Sequence, residues 1–126
     1  MERVKFTQEF IFRASPAIIY QFLTTPSCLT RWFCDEVHIN GEDFTFIWSG
    51  AEEKAQLIED QEPNLLRFVW EDAESDDEYL EFNLQVSPVT GETIMNITDF
   101  VDSDEVQDQI ALWTSQMTRM RAEMGG

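Results

Sequence analysis

Near the C terminus, Val106, Ile110, Trp113, Met117, Met120 and Met124 recur at alternating intervals of four and three residues. Residues so spaced lie on one side of an α-helix, so the segment predicts a long helix with a single apolar stripe. Asp104, Glu105 and Asp108 sit near its start and Arg119 and Arg121 near its end, the order that complements a helix dipole. Asp102 and Glu105 have the spacing of a capping box, which places the start near Ser103. At ~1.5 Å per residue the helix is about 30 Å long, enough to cross a small sheet. Its stripe has to be covered, and the rest of the chain must supply the cover.

Most of what precedes it is strand. "VKFTQEFIFRA" alternates, with Val4, Phe6, Gln8, Phe10 and Phe12 on one face and Lys5, Thr7, Glu9, Ile11 and Arg13 on the other. Later come "DEVHIN", "DFTFIW", "EKAQLIED", "NLLRFVWE", "EYLEFNLQV" and "ETIMNITDF". Turn signals at Gly41, Gly50, Pro63-Asn64, "DAESDD" and "SPVTG" separate them. Short links between successive strands make an antiparallel meander.

Two short helices interrupt after the first strand. "ASPAIIYQFLTTP" has Ser15 to cap it, Pro16 in the first helical position and Pro26 to stop it, with Ile19, Phe22 and Leu23 on its apolar side. "PSCLTRWF" reads as a second helical turn, capped by Ser27, that points Leu29, Trp32 and Phe33 inward. The predicted fold is α+β: a curved antiparallel sheet with the long helix on its concave face, one domain over residues 1–126.

In "EDFTFIWSG", Phe44, Phe46 and Trp48 share a face, and in "NLLRFVW" so do Leu66, Phe68 and Trp70. These rings either pack directly on Trp113, Met117 and Met120 or line a space between sheet and helix. For any single ring, core packing is the better reading, because buried aromatics dominate ordinary cores. Methionines on the helix suit an adaptable apolar pocket.

Reactive chemistry has sparser support. Asp99 shares the face of Thr93, Met95 and Ile97 by parity. An inward carboxyl has a raised pKa and suits acid–base work. The simpler reading is a strand-end carboxylate near solvent or one that helps start the final helix, because no second catalytic group is evident. His38 falls on a predicted edge strand and reads as a surface residue. Cys28 and Cys34 read as reduced packing thiols, and with His38 they lack a fourth zinc ligand. Ser49 in "WSG" lacks the flanks of a nucleophile elbow. No metal or cofactor is called for.

The formal net charge of −17 argues against nucleic acid and anionic membranes as partners. No apolar run is long enough to span a bilayer, and "MERVKFTQEF" does not read as a signal peptide, so a cytoplasmic protein is expected. No lysine or arginine occurs between Arg67 and Arg119, whereas "EDAESDDEYLE" is dense in carboxylates. This segment reads first as a solubilising face and second as a docking surface for a basic protein. Weak cation binding at Asp72, Asp76 and Asp77 has no EF-hand pattern behind it.

The order of these pieces resembles the START-like, or SRPBCC, superfamily with its helix-grip fold. Within it the chain is similar to the branch of heat-shock chaperone ATPase activator homologues. The likeness rests on "ASPAIIYQFLTTPSCLTRWF", "GEDFTFIW", "LIEDQEPNLLRFVW", "GETIMNITDF" and the closing helix with Trp113, in that order. It implies a cavity between sheet and helix, which relatives use for lipids, polyketides or other apolar molecules; chaperone-linked relatives act by protein contact. Two positions depart from the branch: Asp99 stands where a histidine is frequent, and Leu112 where a glycine often precedes the helix tryptophan. The second adds bulk that would narrow the cavity. The leading expectation is a non-enzymatic domain that binds a small apolar ligand through Trp32, Phe46, Trp48, Phe68, Trp70, Trp113 and Met117. The alternatives are a module that contacts a basic protein or chaperone through its acidic surface, and a cyclase- or hydrolase-like enzyme that uses Asp99.

Overall fold

The computed structural model describes residues 2–75 and 77–125. The elements run β1 (Arg3–Phe12), α1 (Pro16–Thr24), α2 (Pro26–Trp32), β2 (Glu36–Asn40), β3 (Asp43–Trp48), β4 (Ala51–Gln61), β5 (Leu65–Trp70), β6 (Leu80–Val86), β7 (Thr93–Asp102) and α3 (Val106–Met124). The strands form one sheet in the order β1-β7-β6-β5-β4-β3-β2, and every neighbouring pair is antiparallel. β2 to β7 are therefore the meander that alternation predicts. β1 adds beside β7 in an unbroken register from Arg3↔Asp102 to Phe12↔Thr93.

The alternation also sets which face is buried. Phe44 and Phe46, Leu66 and Phe68, and Met95 and Ile97 all lie on the covered side at 4% exposure or less. Against them α3 lays Trp113, Met117 and Met120, all buried, with Val106, Ile110 and Met124 half-buried along the same stripe. The rings contact in succession: Phe44 meets Phe68 edge-on at 5.0 Å, and Phe82 meets Trp113 edge-on at 5.8 Å. Burying a stripe and a sheet face against each other is the main source of stability here, at about 25 cal/mol per Å² of apolar surface removed from water.

Two helix starts differ from the sequence reading. Glu105 is the N-cap of α3 and makes no side-chain capping bond. Asp102 ends β7 instead of starting the helix, and its Oδ1 accepts from Arg3 Nη1 at 3.1 Å. The ion pair with Arg3 and the long β1–β7 ladder outcompete the capping box. Helix α2 has Thr25, not Ser27, as its N-cap, because Pro26 occupies the first helical position and draws the start forward. Ser15 caps α1 as expected, its Oγ accepting from the Ile18 N–H at 3.4 Å.

A two-residue hairpin fixes the position of a tryptophan. Trp48 pairs with Ala51, so β3 and β4 join through Ser49 and Gly50 alone, at φ 50° and 82°. Positive φ at both loop positions matches the right-handed twist of the flanking strands, and glycine takes the second at little strain. Asp35 Oδ2 accepts from the Ser49 N–H at 2.7 Å and pins the turn. The hairpin thus holds Trp48 at the very end of its strand.

Candidate functional site

Strands β3 and β5 run in the same direction, and each ends in a tryptophan, so Trp48 and Trp70 emerge at the same end of the sheet. Trp32 is the last residue of α2, and Trp113 sits midway along α3. These are all four tryptophans of the chain, and all four line one cleft of about 780 Å³. Trp48 and Trp70 have ring centroids 6.4 Å apart at 49°. Phe33 joins the group, edge-on to Trp48 at 5.1 Å and stacked with Trp113 at 6.2 Å and 13°.

Hydrogen bonds fix three of the indoles. Trp32 Nε1 donates to the Phe22 carbonyl at 2.9 Å, Trp48 Nε1 to the Phe33 carbonyl and Trp113 Nε1 to Asp99 Oδ2 at 2.9 Å. Among the described residues the Trp70 indole N–H has no protein acceptor, unlike the other three.

Behind the cleft the interior is nearly solid. Leu23, Leu29, Phe46, Phe68 and Phe82 close around a void of about 10 Å³, room for at most one water. Phe46 and Phe68 border this void and not the cleft, and Met117, with no exposed surface, borders neither. Sheet and helix therefore touch at the centre of the molecule and part at the tryptophan end. Of the seven residues expected to meet a ligand, Trp32, Trp48, Trp70 and Trp113 are gathered on the cleft.

Asp99 lies on the cleft wall at 8% exposure, inside the molecule as strand parity indicates, and not at a solvated strand end. Its Oδ1 accepts from the Phe100 N–H at 2.8 Å, and its Oδ2 accepts from Gln109 Nε2 at 3.2 Å and from Trp113. Burial pushes its carboxyl above the ordinary value, while the bonds from Trp113, Phe100 and Gln109 and the nearby Arg3 charge pull it back. The folded state thus holds this proton more tightly than the unfolded chain. Between the ordinary value of 3.8 and the raised one, the contribution of Asp99 to stability falls as pH rises. An Asp99→Asn variant lacks this slope. Its stability relative to wild type is expected to climb as pH rises from about 4, read from paired urea melts across that range; a constant difference would contradict the buried carboxyl.

One wall is locked by charge. Arg3 grips Glu78 with Nε at 3.0 Å and Nη2 at 2.7 Å, reaches Asp102, and donates to the Phe100 carbonyl at 3.3 Å. The rim is different. Glu53, Asp72 and Glu74 border the cleft, are exposed, and have no cationic partner within ion-pair distance among the described residues. Arg119 is exposed on the helix side, also without an ion-pair partner among them. Leu112 lies on the same border at 48% exposure, so the bulk it adds is at the mouth.

Sequence reasoning singled out neither Phe33 as a site residue nor Glu53 or Gln109. Glu53 had a signal: it shares strand parity with the buried Ala55 and Leu57, which puts it on the helix-facing side of the sheet, at the exposed end of that face. Elsewhere, His38 is exposed on the edge strand β2. Cys28 and Cys34 are free thiols, and burial with the nearby Asp35 charge pushes Cys34 up to about 11, far from a reactive thiolate. Asp72 and Asp77 are exposed; Asp76 lies outside the described residues. Asp102, Asp104 and Glu105 bring carboxylate oxygens within 4.8 Å of one another, but Asp102 is already engaged by Arg3. Among the described residues no helix is long and apolar enough to cross a membrane.

The sheet, the gripping helix and the cleft between them can be compared with known proteins. The family model of the START-like superfamily domain matches residues 1–126. A protein from Bacteroides fragilis, solved by NMR, is 28% identical with a TM-score of 0.69, over 98% of this chain and 93% of that one. The Aha1 dimer from Colwellia psychrerythraea gives a TM-score of 0.78 at 17% identity, over 94% of this chain and 93% of that one. DynU16, a protein of the dynemicin biosynthetic locus, gives 0.77 at 13% identity, over 96% of this chain and 47% of that one. At the lower identities the likeness is one of fold. None of the curated proteins matches. The helix-grip architecture and the match over the whole length agree: the chain belongs to the START-like superfamily.

Proposed function

We propose that this domain binds a small, mainly apolar ligand in the tryptophan-lined cleft and performs no chemistry on it. The observation that carries this reading is the convergence of all four tryptophans, from four separate elements, on one space of about 780 Å³. That volume falls in the usual range for small-molecule sites, roughly 300–1,000 Å³. Large rings held by hydrogen bonds, as Trp32, Trp48 and Trp113 are, offer contact area at little entropic cost. The likeness in fold to a protein of the dynemicin biosynthetic locus points the same way.

Asp99 is the group an enzymatic reading would use. Its two oxygens already accept three hydrogen bonds, one of which orients Trp113. We read it as the anchor of that ring and not as an acid or base.

The test is titration with a panel of lipid- and polyketide-like compounds, following the four indole N–H signals by NMR. Binding is expected to move Trp48 and Trp70 most. Trp70 is half-buried, so Trp70→Ala is expected to stay folded and weaken binding at least about tenfold. If no compound moves these signals, the proposal fails.

A further inference from the structure

We infer that the ligand is an organic cation: an apolar body carrying a protonated amine or quaternary ammonium head, seated against Trp48 and Trp70 and facing the carboxylates of Glu53, Asp72 and Glu74. The inference rests on the cleft being the binding site and adds the chemical class of what it takes. Three observations support it.

The first is the aromatic pair. Trp48 and Trp70, centroids 6.4 Å apart and inclined at 49°, both line the cleft. Tryptophan is the side chain whose ring face attracts a cation most strongly, within about 6 Å of the centroid. The N–H of Trp48 is held by the Phe33 carbonyl, which fixes how that ring is presented.

The second is where the charge lies. Arg3, Glu78 and Asp102 neutralise one another in part through their ion pairs, and the Asp99 carboxyl on the wall is taken up by three hydrogen bonds; among the described residues this leaves Glu53, Asp72 and Glu74 against Arg119 as the exposed lining charges without an ion pair. Three carboxylates against one guanidinium favour a cation and oppose a fatty-acid carboxylate. The net charge of −17 adds a field of the same sign.

The third is the placement of Glu53. It lies in β4 two residues before the buried Ala55, on the same face, and its partner across the ladder is Phe46. Apolar side chains fill that face further along, at Ala55 and Leu57, so core packing does not call for a carboxylate there. Asp72 follows Trp70 by two residues and brings a second carboxylate to the same cleft.

Three probes with one body and different heads decide the matter: phenylbutyl trimethylammonium, phenylbutanol and phenylbutyrate, each titrated into the whole chain and read at the indole N–H signals. The cation is expected to bind about tenfold tighter than the alcohol, with phenylbutyrate weakest. Raising salt from ~50 to ~500 mM is expected to narrow the gap, because exposed rim charges are screened. The combined variant Glu53→Gln, Asp72→Asn, Glu74→Gln is expected to cut the preference to about threefold, the part the rings supply. A control that removes the same charge elsewhere, Glu9→Gln with Glu36→Gln and Glu123→Gln at exposed positions off the cleft, is expected to leave it near tenfold. Circular dichroism confirms that both variants fold. The inference is overturned if alcohol and cation bind alike, or if the control lowers the preference as much as the rim variant does, which would assign it to the diffuse field. If the alcohol binds and the cation gains nothing, the apolar cleft stands without its charge preference; if no probe moves the indoles, the binding site itself falls.

Discussion

Replacing Trp113 with alanine is expected to remove about 4 kcal/mol of folding stability, within the usual range for a buried aromatic truncated in a core. The indole is 3% exposed, stacks on Phe33, meets Phe82 edge-on and donates to Asp99. Truncation opens a cavity and also leaves Asp99 with one donor fewer on a buried carboxyl. Domains of this size have about 5–15 kcal/mol in total, so the variant should be partly unfolded at modest urea. Trp113→Phe separates the two losses. It keeps most of the packing and deletes the N–H, and about 1–2 kcal/mol is expected to go. Urea midpoints at matched slope measure both. A loss below about 1 kcal/mol for the alanine variant would mean that α3 is not anchored through this ring.

Replacing Arg3 with methionine is expected to cost about 2–3 kcal/mol. Glu78 is 7% exposed, and Arg3 is its only ion-pair partner among the described residues. Removing the cation leaves a nearly buried carboxylate uncompensated, a change that costs about 3–5 kcal/mol in fully buried pairs. The Arg3 side chain is 31% exposed, so solvent screens part of that and the lower figure applies. Glu78→Gln in the same background is expected to recover most of the loss, since the stranded charge is then gone. A thermodynamic cycle over the four proteins gives the coupling. If the two changes simply add, the clasp contributes nothing specific.

How far the sequence foretold this molecule depends on the length over which a pattern repeats. Strand alternation and the four–three stripe of α3 extend over many residues, so small local preferences add up, and sheet, helix and buried face were all legible. Phe44, Phe46 and Trp48 fell where parity puts them. Capping rests on one or two residues: Ser15 held and Pro26 moved the start of α2 locally, but at α3 a tertiary contact prevailed, and Asp102 went to Arg3, a partner 99 residues away in sequence that no local rule could supply. The cleft was legible only in its ingredients. That Trp48 and Trp70 share an end of the sheet follows from strand direction. That Phe46 and Phe68, two residues earlier on the same strands, close into a core while the tryptophans stand apart depends on where α3 and α2 sit. Asp99 shows the same limit. Parity placed it inside, but its tie to Trp113 crosses from β7 to α3 and leaves no mark in either segment alone.

The ladder between the first strand and the last has a consequence for how the chain comes to be folded. Every residue of β1 pairs with β7, and the Ser103 N–H closes the joint on the Glu2 carbonyl at 2.7 Å. Such pairings close very long loops, and topologies rich in them fold slowly. On a ribosome β1 emerges before the other strands of the sheet and then waits, its Phe6, Phe10 and Phe12 uncovered, until β7 has been synthesised. The meander from β2 to β6 can pair as it appears, whereas the wall that holds Arg3 and Asp99 is assembled last. A nascent chain halted before residue 100 would therefore carry two of the cleft's strand-end tryptophans, Trp48 and Trp70, without the α3 wall that completes the site.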